Sequence, residues 1–166
     1  MYIENKLIYL FYPELVSLYD FLHIQNNQLG NLEKLDIAKQ IWESIWTLHD
    51  TKPIMAHGHL SSRNIFIEKI VQENQIWHKI KIGDLGDLSI RQSAKIFLDY
   101  DIRNTWSSPE VMSDPNIVFA SRKASMDIYA FGMLLWELFA RMIPFDDNID
   151  GAKMFIVDKN FRPKIR

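Results

Sequence analysis

The chain has 166 residues, a formal net charge of −2, 48% hydrophobic residues, 13% aromatic residues and no cysteine. This size and composition fit one globular domain with a substantial core, and they exclude an intrinsically disordered chain. The near-neutral charge gives no basic surface for nucleic acid or an anionic membrane, and the absence of cysteine excludes disulfides and thiolate chemistry.

The first predicted elements are short. Residues 7–12 form an apolar, aromatic run that stops at Pro13, which is typical of a buried strand leading into a turn. Ser17 is suited to cap a short helix that ends near His23. The polar residues 26–31 predict a loop.

A long amphipathic helix is predicted at residues 32–50, with Asn31 as its cap and Pro53 beyond its end. Its apolar residues recur every three or four positions and form one stripe, consisting of Ile37, Ile41, Ile45 and Leu48. This pattern indicates a helix that packs one face against a core.

A β-hairpin is predicted next, from a strand at residues 65–67 and an alternating strand at 76–82. The polar segment 68–74 would connect them. Residues 87–114 have no clear periodicity and predict a long functional loop.

The second long helix is predicted at residues 124–141, and Pro144 follows its end. It is apolar on nearly every side, which predicts a position at the centre of the domain. Its most hydrophobic stretch, 126–139, is too short to span a bilayer and contains two acids, so we expect no membrane span. The absence of cysteine fits the expectation of a cytoplasmic protein. A weaker helix is predicted at 149–157.

Two loops carry residues suited to phosphoryl transfer. That chemistry needs hard oxygen ligands for Mg²⁺ on the phosphates and a base near the acceptor hydroxyl. Asn64 could supply a carbonyl ligand and Asp84 a carboxylate ligand, and the two predicted strands would hold their loops side by side. Each residue alone is common turn chemistry, so the indication comes from the ordered set.

The ordered set resembles protein kinases. The catalytic-loop pattern His-Arg-Asp-Leu-x-x-x-Asn is similar to residues 57–64, and the Asp-Phe-Gly pattern is similar to residues 84–86. Further kinase signatures are matched in the expected order by Trp106-Ser107-Ser108-Pro109-Glu110, by residues 127–138, by Pro144-Phe145 and by Phe161-Arg162-Pro163. Even residues 7–22 resemble the hinge strand, the hinge and the first C-lobe helix.

This resemblance implies a protein kinase-like C-lobe that is mainly α with a small β-hairpin. Residues 1–166 would form a single partial kinase domain, running from the hinge strand to just after the Pro-Phe segment. The N-lobe, with its Gly-rich loop and paired lysine, and the final C-lobe helices would be absent from the chain. Arg63 and Trp106 indicate the tyrosine-kinase or tyrosine-kinase-like branch.

Two residues depart from the kinase pattern within the catalytic loop. His59 replaces the catalytic aspartate; a neutral imidazole can act as a base, but it lacks the negative charge, which predicts low or absent transfer activity. Gly58 replaces the arginine that pairs with a loop phosphate. Thr105, Ser107 and Ser108 are candidate phosphate acceptors by residue type, or ordinary loop hydroxyls.

The resemblance therefore supports two functions. One is a pseudokinase that binds a protein partner as a signalling scaffold, similar to the Janus-kinase pseudokinase domains. The other is a fragment of a competent ATP-dependent kinase whose N-lobe lies outside this chain. The expected catalytic residues are His59 and Arg63, and Asn64 and Asp84 would bind ATP and Mg²⁺, weakly or not at all in this chain alone. Alternatively, Arg63 and Asn64 serve loop geometry only.

Two further expectations concern histidines and a buried acid. His49, His57 and His59 could form a metal site, although no cysteine or suitably spaced carboxylate completes a tetrahedral set. Asp127 lies in an apolar helix and needs hydrogen-bond partners. In kinases the matching residue binds the catalytic-loop backbone, which implies the same role here.

Overall fold

The computed structural model describes residues 15–72, 75–85, 104–159 and 161–163. The predicted strand at 7–12 and residues 87–103 of the predicted loop lie outside these ranges. Within them the protein is mainly helical, as the sequence predicted, and one small antiparallel sheet adds a third short strand to the predicted hairpin.

The first long helix, α1, spans Asn31–His49. The predicted apolar stripe is confirmed, since Ile37, Ile41 and Ile45 are buried in the main core. The predicted cap is wrong: Asn31 is the first helical residue and Gly30 precedes it. The Gly30 N–H donates to the Glu33 carboxylate at 2.7 Å, so the side chain of Glu33 satisfies the backbone donor that precedes the helix.

The sheet has the order β1-β2-β3, with β1 at Val16–Ser17, β2 at Ile65–Gln72 and β3 at Gln75–Ile82. The predicted hairpin is confirmed, but β2 continues through the segment predicted as a polar connection. Cross-strand pairing explains the extension, because Ile70 lies opposite Trp77 and the Glu68 and Lys81 side chains form an ion pair at 3.0 Å.

The Gln40 side chain of helix α1 forms hydrogen bonds with the backbone of strand β3. The Gln40 amide donates to the His78 carbonyl at 2.8 Å and accepts from the Ile80 N–H at 3.0 Å. Gln40 thus satisfies backbone groups along the outer edge of β3, and it fixes the sheet against the helix.

Two short helices follow: α2 at Pro109–Ser113, inside the segment 87–114 that the sequence predicted as a loop, and α3 at Ile117–Ala120, just after that segment. Proline at the first helical position explains the start of α2, because its missing N–H is not needed there. Both helices are too short to give a periodic sequence signal, which is why the prediction failed here.

The second long helix, α4, spans Ala124–Ala140 and confirms the predicted central helix. One face is buried, whereas Ile128 and Phe139 are 42% and 44% exposed, so the prediction of burial on nearly every side was too strong. Arg141 ends the helix in the left-handed region (φ 59°) and donates its N–H to Glu137 O at 2.8 Å.

The C-terminal part confirms the predicted helix near residue 150. Helix α5 spans Ile149–Lys153, and a π-helical turn continues it over Met154–Asp158. At the opposite end of the chain, Ser17 accepts a hydrogen bond from the Asp20 N–H at 3.0 Å, as predicted for a cap. It precedes a π-helical turn at Asp20–Ile24. Among the helices of the described ranges, none has the length and apolarity needed to cross a bilayer.

Candidate catalytic-loop site

The buried carboxylate of Asp127 organises the loop that begins at His57. Its two oxygens accept the backbone N–H groups of His57 and Gly58, both at 2.8 Å, and the His49 Nε2 lies 2.9 Å from Oδ2. Asp127 is 1% exposed. A buried charge is stable only with such partners, so the expectation that Asp127 binds the loop backbone is confirmed.

Gly58 is required by both its backbone and its surroundings. It has φ 77°, in the left-handed region that side chains disfavour. A Cβ at this position would lie 2.7 Å from the Arg122 Cδ and 3.1 Å from the Val118 Cγ1. A larger residue at the position that resembles the kinase arginine would therefore strain the backbone and require the Arg122 side chain to move.

His59 and Asn64 face each other across the loop. The Asn64 amide donates to the His59 carbonyl at 2.8 Å and lies 3.4 Å from the His59 Nδ1. The His59 N–H lies 3.3 Å from the His57 Nδ1. His59 and Asn64 also border a depression of about 320 Å³. An imidazole placed there can accept a proton from a hydroxyl, but it provides no negative charge.

The loop that carries Asp84 is fixed next to Asn64. Ile65 pairs with Ile82, and the Gly83 N–H donates to the Asn64 carbonyl at 2.8 Å. The His57 Nε2 lies 2.8 Å from the Gly83 carbonyl, which ties both loops together. Asn64 and Asp84 therefore lie at the same end of the hairpin, as the strand prediction required; Gly86 of the motif lies outside the described residues.

Arg63 is held on two sides. Its guanidinium carbon lies 3.7 Å from the centre of the Tyr19 ring, and one of its terminal nitrogens pairs with Asp147 Oδ2 at 2.5 Å. It borders the depression beside His59 and also a second depression of about 620 Å³ lined by residues of the β1 region and Phe66. Arg63 therefore forms a wall between the two.

Sequence reasoning missed Glu137 as a part of this site. Its carboxylate is fully buried and has three neighbours from different segments: the Ser62 hydroxyl at 2.8 Å, the Trp106 indole N–H at 2.7 Å and the His23 Nε2 at 2.9 Å. Glu137 thus fixes the catalytic loop and the Trp106 segment to α4. The signal was an acid in an apolar helix, which needs buried partners.

The hydroxyls proposed as phosphate acceptors are inaccessible in this structure. Thr105, Ser107 and Ser108 are all buried, and the Thr105 and Ser108 oxygens have no hydrogen-bond partner among the described residues. A kinase could reach them only after this segment moved. The structure therefore favours the interpretation that they are ordinary loop hydroxyls.

The histidine metal site gains no support from the described ranges. No group of three or more histidine, cysteine, aspartate or glutamate side chains in these ranges is arranged to hold a metal ion. His49 lies against Asp127 and His57 against the Gly83 carbonyl, so both imidazoles have structural partners.

Burial also affects His78, on β3 outside the catalytic loop. Desolvation lowers the pKa of its imidazole, and the nearby Glu33 carboxylate opposes this effect only in part. The Glu33 Oε1 lies 3.7 Å from the His78 Nδ1. His78 is thus held neutral more strongly than a solvent-exposed histidine.

Comparison with known proteins identifies the family. The profile of the family "Protein tyrosine and serine/threonine kinase" matches residues 2–164. The dual specificity protein kinase shkC of Dictyostelium discoideum is 28% identical over 151 residues, which cover 90% of this chain and 28% of that protein. The dual specificity protein kinase pyk3 of the same organism is 30% identical over 98% of this chain and 11% of its own length.

A plant protein shows the same similarity. The probable serine/threonine-protein kinase SIS8 of Arabidopsis thaliana is 30% identical over 129 residues, covering 77% of this chain and 11% of that protein. The chain therefore spans between a tenth and a third of the length of these three curated relatives. The profile match over nearly the whole chain shows that this protein belongs to the protein tyrosine and serine/threonine kinase family.

Proposed function

We propose that this chain is the C-lobe part of a protein kinase domain that works as a pseudokinase, binding a protein partner as a signalling scaffold. The observation that carries the proposal is the combination at His59. The loop around it is held by hydrogen bonds to Asp127, Gly83 and Asn64, yet it presents an imidazole where kinases place a carboxylate. An ordered loop without its base suits recognition better than phosphoryl transfer.

The branch of the family is also part of this proposal. Arg63 and Trp106 resemble the residues of the tyrosine-kinase and tyrosine-kinase-like branch. Trp106 is fully buried and donates to Glu137, so it has a structural reason to be an indole. The contact explains the tryptophan in structural terms, and the branch assignment is supported by the residue types alone.

Nucleotide and metal binding are a separate question. Asn64 uses its amide N–H to bind His59, which leaves its carbonyl oxygen as the atom suited to Mg²⁺. Asp84, exposed at the neighbouring loop, offers a carboxylate. These residues fit a magnesium ion on ATP, which would supply charge neutralisation for the phosphates; we propose weak binding of ATP and Mg²⁺ at this position.

The alternative is a fragment of a competent ATP-dependent kinase whose N-lobe lies outside this chain. The names of the relatives favour it, since shkC and pyk3 are described as dual specificity protein kinases. In that case His59 would act as the base and Arg63 would assist it at the acceptor hydroxyl.

The experiment compares wild-type protein, His59→Asp and Asp84→Ala, each purified from its source cells with its intact mass measured. We expect no phosphate transfer from ATP to a generic peptide by the wild type. The affinity for MgATP, measured by calorimetry, should be lower in Asp84→Ala than in the wild type. Transfer by the wild type that disappears in Asp84→Ala would overturn the scaffold proposal and establish the kinase alternative.

A further inference from the structure

The exposed ion pair between Arg63 and Asp147 adds to the catalytic-loop site a contact that the motifs did not predict. The Arg63 guanidinium carbon lies 3.7 Å from the centre of the Tyr19 ring, and this contact restricts the guanidinium before any ligand arrives. The Asp147 carboxylate forms the second contact of this guanidinium. Arg63 and Asp147 both border the 320 Å³ depression beside His59, whereas the 620 Å³ depression is lined by Arg63 without Asp147.

Asp147 is presented to Arg63 by an unusual backbone. Phe145, Asp146 and Asp147 are consecutive residues with φ of 52°, 53° and 59°. None is glycine, and each such residue is strained in the left-handed region. A run of three needs a reason in its surroundings.

Packing holds this left-handed turn in place. Pro144 is buried, and the Phe145 ring stacks on the Phe155 ring with centres 6.5 Å apart and planes inclined by 13°. The buried Pro144 and the partly buried Phe145 therefore hold the turn, and Asp147 at its end borders the depression.

The ion pair itself contributes little to holding the turn. The side chains of Arg63 and Asp147 are 46% and 42% exposed, so water screens their attraction. A ligand could replace Asp147 at Arg63 without disturbing the packing of Pro144 and Phe145. An arginine fixed in this way binds carboxylate and phosphate groups through paired N–H donors.

We propose that Arg63 anchors an oxyanion-binding site in the 320 Å³ depression, and that Asp147 occupies it as an internal substitute. The ligand is a peptide that carries a carboxylate or phosphate group. The polar side chains of Asn104 and Ser61 line the same depression and can donate to such a group. Ligand binding would break the exposed Arg63–Asp147 ion pair and replace it with an ion pair between Arg63 and the ligand. The proposal is independent of whether the domain transfers phosphate.

The experiment measures binding of three probes by calorimetry at low ionic strength: inorganic phosphate, a glutamate-containing peptide and a lysine-containing peptide. The key variant is Asp147→Asn, because asparagine tolerates the left-handed region. The matched control is Asp146→Asn, which removes the same charge from the adjacent exposed residue of the same turn. Thermal unfolding verifies that each variant is folded.

We expect Asp147→Asn to bind an anionic probe roughly five- to tenfold more tightly than wild type, which corresponds to losing one competing charge-assisted contact. Asp146→Asn should stay within about twofold of wild type, and Arg63→Gln with Asp147→Asn should bind no anion. Tightening for phosphate alone would assign the site to phosphoryl groups, and tightening for the glutamate peptide would assign it to acidic side chains. Equal tightening in both Asp→Asn variants, undiminished binding without Arg63, or tightening for neither anion would overturn the proposal.

Discussion

Replacing Ser62 by alanine tests the buried network at Glu137 with the smallest perturbation available. Ser62 is fully buried, and its hydroxyl donates to Glu137 Oε1 at 2.8 Å. Removing the oxygen deletes one hydrogen bond to a buried carboxylate, which is typically worth about 1.5–3 kcal/mol. Because His23 and Trp106 still donate, the carboxylate keeps partners and the fold survives.

The assay is urea unfolding followed by tryptophan fluorescence, with the free energy of unfolding extrapolated to water. The matched control is Ser61→Ala, which removes the hydroxyl of the neighbouring buried serine, for which no bond to Glu137 is seen. We expect about 1.5–3 kcal/mol of destabilisation for Ser62→Ala and less than about 1 kcal/mol for Ser61→Ala. Equal effects of the two substitutions would refute the reasoning that Glu137 anchors the catalytic loop.

Three other predictions use the same chain. Asp127→Asn removes the charge that holds two backbone N–H groups, and urea unfolding should show a loss of about 2–4 kcal/mol; a loss below 1 kcal/mol would contradict the assigned role. Gly58→Ala places a Cβ against Arg122 at φ 77°, so the unfolding temperature should fall by several degrees, and an unchanged temperature would contradict the strain argument. Burial lowers the folded-state pKa of His78, so the unfolded chain takes up this proton first. The free energy of unfolding should therefore decrease as pH falls below about 6.5 and level off below the folded-state pKa; His78→Gln should remove this contribution, and an unchanged slope would count against it.

The sequence was sufficient where one periodic signal covered many residues. The stripe at Ile37, Ile41 and Ile45 and the apolar run of α4 predicted both long helices correctly. Short elements were less predictable, because α2 and α3 contain five and four residues and give no periodic pattern. The extent of β2 was also missed, since its outer half is stabilised by pairing across the hairpin.

In the candidate site, too, the local residue pattern was predictable and the long-range contacts were not. Its residue types and their order along the chain, from His57 to Asp84, are sufficient to indicate the kinase resemblance. Partners far apart in sequence were not predictable from local patterns: Glu137 lies 75 residues from Ser62 and 114 from His23. Such contacts depend on where α4 crosses the catalytic loop.

The sequence by itself determined the family and the composition of the catalytic loop, including an imidazole at residue 59 and a glycine at residue 58. Those features are local and survive in the order of residues. The tertiary structure decided which side chains have buried partners and which line a depression. It buried Thr105 and Ser108, joined Glu137 to three segments, and placed Asp147 on Arg63. The physical reason is that burial and long-range charge pairing depend on packing between distant segments, which sequence periodicity does not encode.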